Sequence, residues 1–452
     1  MIGLNKIGLN QVQLNRLHLN APFPAYGKMA GGGGSGDGFP QLPGDVTRWH
    51  FGGLTNEMMA AMDDPRIEDA DGKGRFLSFK NFAWKEGSGI SDVYPGALVF
   101  DGVDDCGVCD NFPILTKEKG YTVVALRQWI TYNPNAISAI ATNASDQSFN
   151  GAFTFENYNK GAEQTISYGA TQISLQYSKS PFSWQTTSKY NGFNIANGNK
   201  DATNSLVLGR SYPQRNEFAN FAIWELVFLD HDATEEELTK IKDYFVKTYP
   251  WLFPDQAWTV VGKTNEDEDR ATIANITGNG NDLVLSNFGF AEGSGYNEEG
   301  EYAGYLVTDG VDDKIISSIF KMGNDWTVIG DWELINTGKN DNAGIVKFDS
   351  IVIYNYNYNS MLINIKNGRN ILIPDQNTVN AICSDGRIYS KDWKESIYNE
   401  ETESTSKNFL TIGYSGNAYT KIAFKNLAIY PTVLSREDCI KAYNYLQTLK
   451  AK

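Results

Sequence analysis

The chain is written twice. GLTNE at Gly53 to Glu57 returns as GKTNE at Gly262 to Glu266, and FDGVDD at Phe100 to Asp105 returns as TDGVDD at Thr308 to Asp313. Between them, DGKGRFLSFKNFAWKEGSG (Asp71 to Gly89) returns as TGNGNDLVLSNFGFAEGSG (Thr277 to Gly295). The ends agree as well: NFAIWELVFLDHDATEEELTKIKDYF, from Asn220 to Phe245, parallels KIAFKNLAIYPTVLSREDCIKAYNYL, from Lys421 to Leu446. All four pairs keep their order at a spacing of roughly 200 residues, which sets two homologous modules, 49–250 and 258–450, with a linker at 251–257.

Each module reads as short strands. ALVFDG, YTVVAL, NSLVLGR and FAIWELVFL in the first, and DLVLSNF, DWTVIGDWELI, SIVIYNY and IAFKNLAIY in the second, are rich in branched and aromatic residues and bounded by turn formers. Six or more such strands predict a two-sheet sandwich, because a single sheet leaves one apolar face in water. One short helix closes each module. Thr234 with Glu237 forms a capping box ahead of Leu238, Ile241 and Phe245, and Ser435 with Asp438 stands in the same place ahead of Cys439, Ala442, Tyr443 and Leu446. TYPWLFPDQ, Thr248 to Gln256, ends the first helix at its prolines and brings aromatics to the junction.

The residues before the modules follow another rhythm. Leu-Asn recurs every fifth residue. This gives four apolar pairs, Ile2 with Leu4, Ile7 with Leu9, Val12 with Leu14, and Leu17 with Leu19, each on one side of a short extended rung. Four rungs are too few to bury their own side chains, so residues 1–28 are expected to act as an anchor or trimerisation segment, three copies supplying the missing surface. The glycines of MAGGGGSGDGFPQLPGD make 29–48 a Gly/Pro-rich linker. The opening alternates apolar and polar residues, which fits neither a secretory signal nor a membrane-spanning helix.

Charge narrows the partners. A net charge of −15 and no basic stretch oppose capture by nucleic acid or an anionic membrane. Four cysteines are too few for a disulfide framework, and the single CxxC of Cys106 and Cys109 lacks the second pair or histidine of a zinc site.

A strand carrying FDGVDD early in the module, a many-stranded β pattern, and an ending such as LAIYPTVLSREDCIKAYN resemble the laminin-G-like and pentraxin-like branch of the concanavalin A-like sandwiches. The resemblance implies an all-β fold of two tandem concanavalin A-like jelly-roll sandwiches, each with a short C-terminal helix. Joined to the rung-like anchor, it also resembles a bacteriophage head or tail fibre protein of the gut Bacteroides phage type.

Candidate chemistry is sparse. Asp101, Asp104 and Asp105, with Asp309, Asp312 and Asp313, offer hard oxygens suited to calcium; alternatively they shape a turn through backbone amides. No acid–apolar–acid strand of a glucanase is present, and His18, His50 and His231 are dispersed, so the chain is expected not to be an enzyme. Glu57 and Glu266 recur in TNE and read as capping or turn carboxylates. In IYNYNYNS, Tyr354, Tyr356 and Tyr358 share one side of an extended segment and are the candidate glycan or receptor surface, with completion of sheet packing as the alternative. Trp129 and Trp332 are read as core. The function expected is a virion structural protein, held by other virion proteins at its N terminus and touching host surface glycans. The alternative is a bacterial extracellular carbohydrate-binding or adhesion protein, with a glycoside hydrolase behind it.

Overall fold

The computed structural model describes residues 37–451 apart from 116–119, 132–138, 145–153, 156–171, 178–201, 211–215, 319, 321, 336–343, 349–350, 357–359, 366–368, 374–378, 398–409 and 416–417. The architecture is all-β, with short helices. Strands between Val46 and Leu229 form two sheets, and strands between Gln256 and Tyr430 form two more.

The first sheet runs Gln172–Tyr177, Thr122–Thr131, Asn220–Leu229, Leu98–Asp101, Gly89–Ile90, with Val46–His50 also on Asn220–Leu229. Its counterpart runs Val379–Cys383, Thr327–Leu334, Ile422–Tyr430, Tyr305–Val307, Gly295–Asn297, with Gln256–Thr259 on Ile422–Tyr430, and adds two strands at the 379–383 end. The order is the same, strand for strand. All pairs are antiparallel, and the register repeats: Trp49 lies opposite Leu226 as Trp258 lies opposite Leu427.

Alternation along these strands divides their side chains between two layers. Trp49, Phe100, Val123 and Phe221 point inward to meet Phe79 and Leu208 of the facing sheet. Trp258, Leu306, Trp332 and Phe424 do the same against Leu285 and Ile412. Each fully buried side chain of this size contributes about 1.5–3 kcal/mol of transfer free energy, so both inner cores are substantial. Trp129 and Trp332 are 2% and 3% exposed, core residues as expected.

The outer faces meet the helices. Helix Glu235–Thr248 starts at Thr234, whose side chain accepts from the Glu237 N–H while Glu237 accepts from the Thr234 N–H at 2.7 Å. Helix Arg436–Gln447 starts at Ser435, which accepts from the Asp438 N–H at 3.1 Å. Asp438 takes the Ser435 hydroxyl at 2.7 Å instead of the cap amide, as a side chain one methylene shorter than Glu would. Leu238, Ile241 and Phe245 of one helix, Cys439, Ala442 and Leu446 of the other, and Tyr249, Trp251 and Leu252 between them join a single apolar cluster with both outer faces. Gln128 Nε2 donates to Thr448 Oγ1 at 3.1 Å across this layer.

One boundary is corrected. The linker expected over 29–48 gives way to strand Val46–His50, and Phe39 is 6% exposed against Tyr244 and the Arg48 guanidinium. Composition sees the glycines but not the aromatic and the acid that tie the end of the segment down. The rung residues expected to anchor the chain or join three copies, Ile2, Leu4, Ile7, Leu9, Val12, Leu14, Leu17 and Leu19, all lie outside the described residues. All four cysteines are free and buried, and burial pushes the Cys109 thiol up to about 11, which disfavours a metal-binding thiolate. No helix among the described residues is long and apolar enough to cross a membrane.

Candidate functional site

The repeated DGVDD segment closes a rim loop in both halves with the same bonds. Asp101 Oδ1 accepts the N–H groups of Val103, Asp104 and Asp105 at 2.7, 3.2 and 3.4 Å, and Asp105 Oδ2 accepts the Asp101 N–H at 3.0 Å. Asp309 repeats this with Val311, Asp312 and Asp313 at 2.7, 3.2 and 3.3 Å, and Asp313 Oδ2 accepts the Asp309 N–H at 2.8 Å. A second loop is stitched beside each. Asn81 and Asn287 donate to the carbonyls of Asp104 and Asp312, both at 3.0 Å, and Ser88 donates to Asp105 Oδ1 at 3.1 Å. Asn56 and Asn265, from the TNE repeat, bridge both backbone groups of Ile90 and Tyr296 at 2.7–2.8 Å. A Cβ on Gly89 or Gly295 would stand 2.3 or 2.5 Å from these amides, so the repeated EGSG requires its glycine.

Three carboxylates in each loop hold oxygens within 4.8 Å of one another. Burial pushes the Asp105 carboxyl up to about 7 and the Asp313 carboxyl up to about 6, and the neighbouring aspartates add to this. Their oxygens are the donor type a divalent cation takes, and each cluster can coordinate one. In the first half, however, Asp101 Oδ1 and both oxygens of Asp105 are already hydrogen-bonded within the loops.

The outer faces of the two halves differ. In the first, Glu225 is fully buried among His50 Nδ1 at 2.6 Å, the Tyr249 hydroxyl at 2.9 Å, the Tyr244 hydroxyl at 3.1 Å and Arg48 at 3.5 Å. Arg48, itself fully buried, also pairs with Asp37. Burial works to lower the His50 pKa, but Glu225 outweighs it and leaves it raised. Around this network the face is apolar: Val99, Leu126 and Trp224 are buried in the helix layer.

In the second half the matching register positions are polar, Asn426 and Thr259 fully buried and Asp331 and Lys425 half-buried. Asn426 stands opposite Thr259 and Asp331, where Glu225 stands opposite His50 and Leu126. Lys425, 27% exposed, takes the place of buried Trp224. The Tyr305 hydroxyl donates to Asp331 at 3.1 Å, and burial followed by Asp331 raises the hydroxyls of both Tyr305 and Tyr443. Lys425 Nζ lies 3.9 Å from Asp331 and 5.5 Å from the Tyr305 ring centroid, and Lys391 Nζ lies 3.8 Å from Glu333. The Asn426 amide is fully buried beside them with no hydrogen-bond partner among the described residues.

Of the candidates read from sequence, the six aspartates are brought together as two separate triplets. Tyr354 and Tyr356 lie in strand Ile351–Tyr356, paired on both sides, and Tyr358 lies outside the described residues. Asn56 and Asn265, rather than Glu57 and Glu266, carry the bridging role of TNE. The patch around Asp331 gave no linear signal, since its residues come from three strands, a loop and a helix. Comparing the aligned copies position by position would have found it: Lys425 and Asn426 replace Trp224 and Glu225.

No family model matches the chain, and no curated protein matches it. Among solved structures it is similar to the Trypanosoma rangeli sialidase in complex with sialic acid, at 8% identity and a TM-score of 0.33, over 85% of this chain and 68% of that one. It is similar also to the receptor binding domain of botulinum neurotoxin C/D mosaic serotype, at 10% identity and a TM-score of 0.31, covering 43% of this chain and 54% of that one. The binding domain of Paraclostridial Mosquitocidal Protein 1 aligns at 13% identity and a TM-score of 0.28, over 42% and 51%. The chain thus spans about half the length of the two toxin domains. At these values no residue role or activity passes from them to this chain. The expectation that the chain is not an enzyme is nevertheless corrected. The fold gathers three carboxylates within 4.8 Å of one another in each half, and such clustered acids remove the ground on which catalysis was set aside.

Proposed function

We propose that the protein is an extracellular carbohydrate-binding or adhesion protein built from two concanavalin A-like sandwiches, residues 49–250 and 258–450, and that its ligand lies on the outer sheet face of the second. One observation carries this reading. Where the first half sets buried Leu126 and Trp224, the second sets Asp331 and Lys425 as a half-buried pair beside Tyr305, with the Lys391–Glu333 pair and a buried Asn426 amide that has no partner among the described residues. Aromatic area with a few convergent polar groups is what a sugar-binding surface needs. Anchoring through residues 1–28, a homotrimer and a place on a virion rest on residues outside those described and draw no support from this face.

The test is binding of the full-length chain to an array of glycans, followed by titration of the hits against Lys425→Ala and Tyr305→Phe. Loss of roughly tenfold or more in affinity, with an unchanged melting temperature, is expected when a direct polar contact to the ligand goes. Retained affinity in both variants would move the ligand elsewhere.

A further inference from the structure

We infer that the ligand of this face is a neutral, hydroxyl-rich sugar and not an acidic one; the inference rests on the reading of the face as the ligand surface. The spacing of the two ion pairs supports it. At 3.9 Å for Lys425–Asp331 and 3.8 Å for Lys391–Glu333, both pairs are wider than a charge-assisted hydrogen bond of about 2.7–2.9 Å. A hydroxyl both donates and accepts, so one sugar oxygen can take an ammonium proton and give its own to the carboxylate without parting either pair. A ligand carboxylate only accepts. It would satisfy the lysines while standing against Asp331 and Glu333, with Glu301 also acting on neighbouring Tyr302.

Two further features agree. Asp331 and Glu333 are two residues apart on strand Thr327–Leu334 and on the same face, so the pairs are separated by about 7 Å, the scale of a single sugar residue. The Tyr302 and Tyr305 rings meet edge to face at 6.3 Å beside Lys425, offering apolar area to the C–H side of a sugar. The charges facing the patch, two lysines against Asp331, Glu333 and Glu301, leave no positive excess for an anionic ligand.

The experiment titrates the full-length chain with three probes: a neutral gluco-oligosaccharide, a neutral manno-oligosaccharide and sialyllactose. Binding of a neutral probe that survives added salt, and falls roughly tenfold in Asp331→Asn and in Glu333→Gln while melting temperatures hold, is the expected result. Sialyllactose binding that weakens with salt and in Lys425→Ala would overturn the neutral-sugar inference while leaving the face as the ligand surface. No binding to any probe, or binding indifferent to all three substitutions, would overturn both.

Discussion

The two halves share an inner core and a rim but not an outer face. Inside, Trp49 and Trp258 occupy one register position, and the aspartate clasp of each rim loop repeats the same four backbone bonds. Outside, Arg48, His50 and Glu225 give way to Ala257, Thr259 and Asn426. The difference follows from what each face meets. A buried ion network persists when opposite charges and hydrogen bonds offset the loss of water, and in the first half Asp37 on Arg48, and Tyr244 and Tyr249 on Glu225, supply them. A half-open face has no such requirement and is free to carry groups that suit a ligand.

The sharpest way to break this contrast is to remove the central acid. Glu225→Ala takes from buried Arg48 one of its two carboxylate partners, leaving Asp37 and the Tyr244 hydroxyl, and should cost roughly 3–5 kcal/mol in urea unfolding. Asn426→Ala removes an amide that has no partner among the described residues and should fall within about 1 kcal/mol of the parent. Equal costs would show the two faces to be equivalent after all.

The rim tests likeness instead of difference. Asp105 and Asp313 bind a proton more tightly folded than unfolded, since their carboxyls sit at about 7 and about 6 against an unfolded value near 3.9. Their protonated forms therefore stabilise the fold fully below pH ~4, and that stability is lost as pH rises through 6 and then 7. For Asp105 the full change is roughly 4 kcal/mol at most, of which roughly 3 kcal/mol falls between pH 5 and 8; Asp105→Asn should flatten stability over that range, with Asp313→Asn doing so to a smaller degree. A pH profile identical to the parent in both variants would dismiss this account of the clasp.

Gly89→Ala and Gly295→Ala should each cost about 1–3 kcal/mol, because both push a methyl onto a bridging asparagine from a strained backbone. Thermal melts of the two should agree, and a harmless change in one half would mark a rim loop that has relaxed. At the small end, Thr234→Ala and Ser435→Ala should lose about 1 kcal/mol each, Thr234 more because its box is reciprocal.

The sequence displayed what repetition and local chemistry reveal. Thr234 and Ser435 were readable as caps because the bonds run three residues along the chain, and alternation plus turn formers exposed the strands. The DGVDD turn was one of two readings, and what it could not disclose was Ser88 and Asn81 arriving from another loop. Asn56 hid behind Glu57 because charge draws attention where an amide does the bridging. The patch around Asp331 was invisible for a different reason: Tyr305, Lys425 and Tyr443 converge only once three strands and a helix are placed. Arg48 and Glu225 are 177 residues apart and look like surface charges until register sets them face to face.

The docked segment at Asp37 to Phe39 also has a mechanical meaning. A pull applied at Asp37 is delivered first to Arg48 and the Phe39 ring lying 4.4 Å from it, and next to strand Val46–His50 lying antiparallel along Asn220–Leu229. The strand starts beside Leu229 and is flanked by no turn onto its partner, so load drawn along its axis shears its hydrogen bonds together instead of unzipping them singly. The ion pair and the aromatic contact share that path with Asp45, held by Asp230, Lys73 and Arg75, so several bonds spread the load before it reaches the strand.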